Sequence, residues 1–181
     1  MLILIDKLKR QPRQIVVDEQ GADFPVLKDL IEHGDVAFNE TINGTLQVTR
    51  VGDVVKVSGR LSASVTSPCG RCLTPVISQL DVPVMLCYVN DDDGKAAPLG
   101  EEDELQREEL GLIQFSAPEI DLRPDLDQEI VMSLPQQPLC KETCKGLCPV
   151  CGNNLNQNSC DCESPNFHAG LAALKNIKIN H

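Results

Sequence analysis

Aromatic residues are scarce in this chain of 181 residues, which has no tryptophan, one tyrosine and four phenylalanines. That shortage argues against RNA-binding sheets that stack bases on several exposed rings. An excess of positive charge is also missing. Lysine and arginine total 16 against 27 acids, a formal net charge of −11. This excludes a generally basic nucleic-acid binder but leaves room for a local basic patch. The longest apolar run, residues 82–89, contains a proline and falls well short of the roughly 20 residues of a membrane helix. The start, Met1-Leu2-Ile3-Leu4-Ile5-Asp6, lacks the basic n-region and apolar length of a signal peptide. A soluble intracellular protein, with no membrane partner, is expected. There are three histidines, His33, His168 and His181. None neighbours a recognisable serine or cysteine nucleophile, and all three read as surface residues. No glycine-rich phosphate loop is present, and no small-molecule substrate is expected.

Cysteine is what the chain does have, nine of them. A secreted disulfide scaffold would be a short chain behind a signal peptide, whereas clustered intracellular thiols are more often metal ligands. Cys148-Pro149-Val150-Cys151-Gly152 has knuckle spacing. Two residues between cysteines let a tight turn aim both sulfurs at one ion, and Gly152 tolerates the left-handed conformation that follows. In Cys160-Asp161-Cys162, residues i and i+2 share a face of extended backbone, so both thiolates reach one metal. Cys140 and Cys144 form a looser pair, and Cys69-Gly70-Arg71-Cys72 a second two-residue pair. The simplest partition is two structural zinc sites: Cys148, Cys151, Cys160 and Cys162, and Cys69, Cys72, Cys140 and Cys144. A single shared site, or uncoordinated thiols in the second group, are the alternatives. Four thiolates leave no open position for catalysis. Cys144, Cys148 and Cys151 also have the C-x₃-C-x₂-C spacing of a radical cluster motif, but that chemistry needs a large barrel after the motif. Cys69 and Cys72 lie between strands and beside Pro68 and Pro75, unlike a redox motif opening a helix. Cys87 reads as a small apolar residue in a strand.

The negative charge is concentrated in residues 90–129. Within that stretch residues 90–110 read as an acidic linker, because such a run repels itself and resists burial. The expected fold class is α+β, with an antiparallel sheet in the front half and a cysteine-rich, zinc-binding, helical back half. Residues 1–89 form a mainly antiparallel β region with one helix and a CxxC loop. Residues 111–181 form helices flanking the cysteine-rich segment. Gly52-Asp53 marks a two-residue hairpin pairing Val51 with Val54, Val48 with Val57 and Leu46 with Gly59. That register puts Leu46, Val48, Val55, Val57, Leu61, Ala63 and Val65 on one face. Thr45, Gln47, Thr49, Lys56, Ser58, Arg60, Ser62 and Ser64 take the other. A third strand spans 76–89. A helix is expected over 23–33, capped by Asp23 and ended by Gly34. Leu122, Leu126 and Ile130 predict another, and Ser164-Pro165 opens a last one. The acids at 119–129 read as a solvated helix face.

Residues 41–80 hold one acid, Asp53, against Arg50, Lys56, Arg60 and Arg71. Lys56 and Arg60 fall on the polar face among hydroxyls. Arg71 lies between two cysteines, where a metal-pinned turn would hold it outward. Hydroxyls and spaced cations suit phosphate contacts, which position without reading sequence, so these three residues are the candidate RNA or partner contacts.

The string Pro138-Leu139-Cys140, Cys144-Lys145-Gly146-Leu147-Cys148-Pro149-Val150-Cys151-Gly152-Asn153-Asn154-Leu155-Asn156 and Cys160-Asp161-Cys162 resembles the C-terminal motif of the YceD family, the large ribosomal RNA subunit accumulation proteins. Cys69-Gly70-Arg71-Cys72-Leu73, Ile120-Asp121-Leu122, Glu129-Ile130 and the end from Pro165 to Lys175 fit the same resemblance. It implies a bacterial cytoplasmic factor, with plastid relatives, that is not an enzyme and promotes accumulation or processing of 23S ribosomal RNA. Its partners would be the large-subunit RNA precursor or ribosome assembly proteins. A thiol oxidoreductase, an RNA-processing enzyme using the cysteines, or an adaptor unrelated to RNA are the competing classes.

Overall fold

Period-two alternation builds the central feature of the computed structural model, which describes residues 1–5, 8, 12–52, 54–90, 111–115 and 118–162. Strands β4 (Ile42–Val51) and β5 (Val54–Pro68) pair antiparallel, with Val51 opposite Val54, Val48 opposite Val57 and Leu46 opposite Gly59. This is the register the hairpin signal predicts. Gly52 has φ +62°, as a tight hairpin turn requires; Asp53 lies outside the described residues. Leu46, Val48, Val55, Val57, Leu61, Ala63 and Val65 are all buried. Two inward positions are glycine for a steric reason. A Cβ on Gly44 would come within 2.2 Å of the Arg60 carbonyl oxygen, and one on Gly59 within 2.2 Å of that of Thr45. Gly44 faces Leu61 and Gly59 faces Leu46, so each leucine fills the space its partner leaves.

Edge strand β2 (Arg13–Glu19) adds antiparallel to β4, and the short strand β3 (Ala37–Phe38) pairs with the far end of β5. Ser64 departs from the outer, solvated face expected for it. It is buried, and its hydroxyl accepts from the side-chain amides of Asn39 and Gln79 at 3.2 Å each. On the other side of β5 lies β6 (Pro75–Asn90). The connection 69–74 is too short for a parallel crossover, so this pair is antiparallel.

The back half contributes strands that the sequence does not predict. The sheet is mixed, because β7 (Leu112–Phe115) runs parallel to β6, with Cys87 opposite Leu112. A parallel partner needs a connection of about a dozen residues or more, and the acidic stretch supplies that length. Among its described residues the back half also holds β8 (Glu119–Asp121), which pairs antiparallel with β1 (Leu2–Leu4). Apolar runs this short carry no readable period. The acidic linker (after Asn90) and the helix expected from Ser164, with His168 and His181, lie outside the described residues.

Helix α1 (Pro25–His33) follows a 3₁₀ turn at Gly21–Asp23 and ends at Gly34, φ +81°. Asp23 is not its cap; that carboxylate accepts from the Gln20 N–H at 2.9 Å. The free N–H groups of α1 are met instead by Asp127 of α2 (Arg123–Met132), at 2.7 Å from Val26 N and 3.2 Å from Leu27 N. Asp127 is 1% exposed. Asp125 accepts from the Tyr88 hydroxyl at 2.6 Å, and burial together with that carboxylate raises the Tyr88 pKa. The 119–129 acids are therefore not simply a solvated face. No helix among the described residues is long and apolar enough to cross a membrane.

The chain divides into two compact units. One is Met1–Ser67 with Ile77–Gln136, whose core runs from Ile3, Phe24 and Leu27 through the sheet to Leu122, Leu126 and Ile130. The other is Pro68–Val76 with Gln137–His181, and its buried cluster is Cys69, Cys72 and Cys144, flanked by Val76, Leu139 and Leu147.

Candidate metal centres

The two C-x-x-C segments fold into the same turn. In the first, Cys69 N–H donates to Thr74 O at 2.9 Å and Leu73 N–H to Cys69 O at 3.0 Å. In the second, Cys148 N–H donates to Asn153 O at 2.8 Å and Gly152 N–H to Cys148 O at 2.9 Å. The residue after the second cysteine is left-handed in both: Leu73 at φ 59° and Gly152 at φ 73°. Glycine meets that requirement freely, whereas leucine adopts the conformation at a cost of about 1–2 kcal/mol. Leu73 is the one non-glycine residue with positive φ among the described residues.

These turns deliver the cysteines into two groups of four. Cys69, Cys72, Cys140 and Cys144 form one, and Cys148, Cys151, Cys160 and Cys162 the other; within each, all the sulfurs lie within 4.8 Å of one another. In the first group Cys72 and Cys140 are 3.6 Å apart and Cys69 and Cys144 3.9 Å. A tetrahedral ion bound at about 2.3 Å by thiolates sets its ligands roughly 3.8 Å apart, so the donor set fits such an ion. Each group could hold one metal ion, and the partition is the one the spacings favour over a single shared site.

The electrostatics are those of crowded thiols. The backbone N–H groups of Arg71 and Cys140 pull the Cys69 pKa down to about 6, and those of Cys151 and Val150 do the same for Cys148. Cys140 N lies 3.4 Å from Cys69 Sγ. The Thr74 hydroxyl lowers Cys72. Conversely, Cys140 is pushed up to about 12 by desolvation and by its sulfur neighbours. Cys162 is also pushed up to about 12, first by Cys151 and then by desolvation. Each group thus combines thiols shifted toward the thiolate with thiols that resist it, Cys69 and Cys72 against Cys140 in the first and Cys148 against Cys160 and Cys162 in the second, as expected where four adjacent sulfurs cannot all deprotonate without a cation between them.

Arg71 is exposed, but its guanidinium is not simply held outward. It turns back to donate to the carbonyls of Glu142, at 3.3 Å, and Cys144, at 3.0 Å. Sequence reasoning missed three further residues around the first group. Asn156 Nδ2 lies 3.3 Å from Cys144 Sγ, Asn154 Nδ2 donates to Thr74 Oγ1 at 3.4 Å, and Thr74 Oγ1 lies 3.3 Å from Cys72 Sγ. The asparagine-rich run 153–158 was the signal available. In the other unit, Lys56 and Arg60 are exposed on the polar face of β5, where Arg60 pairs with Asp81 of β6. Cys87 is half-buried in β6.

Against known families, the profile described as "Large ribosomal RNA subunit accumulation protein YceD" matches residues 57–178. The chain belongs to the YceD family. The match takes in all eight clustered cysteines, Arg60 and Arg71, and begins one residue after Lys56. An uncharacterized protein of Mycobacterium tuberculosis is 30% identical over 111 residues, covering 59% of this chain and 48% of that protein. The Zea mays protein named "Large ribosomal RNA subunit accumulation protein YCED homolog 1, chloroplastic" is 27% identical over 153 residues, 74% of this chain and 52% of its own length. The Arabidopsis thaliana protein of the same name is 32% identical over 60 residues, 33% of this chain and 19% of that protein. This YceD chain therefore spans about half the length of the mycobacterial and maize relatives. No solved structure matches it.

Proposed function

We propose that this YceD-family chain is a non-catalytic, cytoplasmic ribosome-biogenesis factor that promotes accumulation or processing of large-subunit ribosomal RNA. The family match over residues 57–178 carries the reading. In it, Cys69, Cys72, Cys140 and Cys144 hold one zinc ion and Cys148, Cys151, Cys160 and Cys162 a second. Zinc supplies structural closure here, since four thiolates complete a tetrahedron and leave no position for substrate or water. Lys56, Arg60 and Arg71 are the proposed contacts to precursor RNA or to an assembly protein. Arg60 already pairs with Asp81 and Arg71 with two carbonyls, so Lys56 brings the least committed charge.

Depletion of the protein from its source cell tests the function. The ratio of 23S to 16S RNA should fall and be restored by the wild-type chain. An unchanged ratio overturns the reading. In the same assay Lys56→Glu with Arg60→Glu should restore the ratio poorly while zinc content and folding stay unchanged. Association with precursors that survives both this double substitution and RNase treatment would move the contact to a protein and off this face.

A further inference from the structure

The second cysteine group does more than close its own loop. Its ligands Cys151 and Cys160 bracket the segment carrying Asn154 and Asn156; the Asn156 side chain reaches a ligand of the first group, and that of Asn154 reaches the hydroxyl beside another. Asn156 Nδ2 points at Cys144 Sγ, 3.3 Å away, and its Oδ1 accepts from the N–H of Lys145, the residue after Cys144, at 3.0 Å. The amide is held from behind by Asn154, whose Oδ1 accepts from Asn156 Nδ2 at 2.9 Å and from Asn156 N at 3.0 Å. Asn154 in turn reaches Thr74 Oγ1, the hydroxyl beside Cys72 Sγ. The backbone follows the same path, with Leu155 N–H bonded to Gly146 O and Leu147 N–H to Arg71 O.

From this we infer that the two metal sites are coupled and that Asn156 is the positioning residue that couples them. The inference rests on the reading that both groups bind metal. An ion at the second site fixes the ends of the segment between Cys151 and Cys160. The ordering cost of placing Asn156 against Cys144 is then met before the first site fills. An N–H aimed at a thiolate stabilises its charge and fixes its direction. Outer contacts of this kind typically govern roughly 10–100-fold in metal affinity. Because coupling is reciprocal, an ion at the first site tightens the second by the same factor.

The clean substitution is Asn156→Asp. It keeps the side-chain size and the acceptor for Lys145 N–H, and it replaces the donor facing Cys144 with an oxygen that repels a thiolate; it also removes the donor to Asn154 Oδ1, a loss that Asn156→Ala shares. The full chain, stripped of metal under reducing conditions, is titrated with Co²⁺. The thiolate-to-cobalt absorption counts filled sites, and competition with a zinc indicator gives both affinities. Asn156→Asp, Asn156→Ala, Cys162→Ser and the Cys162→Ser/Asn156→Ala pair are titrated alongside, with circular dichroism as the folding check. Each single change should weaken the first site roughly 10–100-fold. The double variant should be little worse than Cys162→Ser alone, because an unpinned segment no longer presents Asn156. Equal first-site affinity in wild type and Asn156→Asp overturns the coupling, as do losses that multiply fully in the double variant. A wild-type chain that binds neither Co²⁺ nor Zn²⁺ overturns the metal reading itself. Two ions bound independently overturn only the coupling.

Discussion

Leu73 and Gly152 occupy the same place in two turns of the same design, yet only one of them suits it. The leucine is 63% exposed, so little packing offsets its backbone strain. Leu73→Gly should stabilise the metal-loaded chain by about 0.5–1 kcal/mol, the relief of left-handed strain less the greater freedom of glycine when unfolded. The check is the thermal midpoint, which should rise by a few degrees; a fall would mean the exposed side chain contributes to folding after all. The reverse change, Gly152→Leu, should lower the midpoint, since open space surrounds that position and only strain is added. At this scale the candidate metal ligands were legible in the sequence, because knuckle spacing is a local property of the turn. Asn156 was not, since its contact with Cys144 comes from the path of the intervening backbone. Nor was the inward turn of Arg71, which depends on carbonyls of Glu142 and Cys144 brought to it from far along the chain.

Among the elements, α1 depends on a carboxylate supplied by α2. The first free N–H groups of α1, those of Val26 and Leu27, donate to the buried Asp127 carboxylate at 2.7 and 3.2 Å. Asp127→Asn leaves one acceptor for two donors and sets an amide N–H against a backbone N–H. It should cost about 1–3 kcal/mol, the range for a buried donor losing a charged partner. The denaturation midpoint should fall while the m-value holds, and a midpoint unchanged from wild type would remove Asp127 from the account of α1. The β4–β5 hairpin was readable to the residue because turn and alternation are both local and agree with each other. The parallel pairing of β7, the β1–β8 sheet and the capping of α1 were not. Each joins segments separated by long stretches of chain, and neither short apolar runs nor a lone aspartate announce a distant partner.

At the scale of the molecule, the two units differ in what can hold them. One has an extended apolar core, whereas the described core of the other is three cysteines with Val76, Leu139 and Leu147 around them. Stripping the metal with a chelator should therefore melt the second unit and spare the first. By hydrogen exchange, the amides of Cys69, Leu73, Cys148 and Gly152 should lose protection while those of Leu46 and Val57 keep it. Undiminished protection in the cysteine turns of metal-free protein would rule out a structural role for the ion. The chain passes between the units at 67–68, 76–77 and 136–137, and this threading sets an order of events during synthesis. Cys144 lies 75 residues beyond Cys69. At about 5–20 residues added per second, the first turn exists for roughly 4–15 s before its last ligand is made. The second group is made whole in a single short stretch soon afterwards. A newborn chain thus carries Cys69 and Cys72 as an unfinished half-site while β6, β7, β8 and α2 are being translated, and its maturation depends on those two thiols staying reduced over that interval.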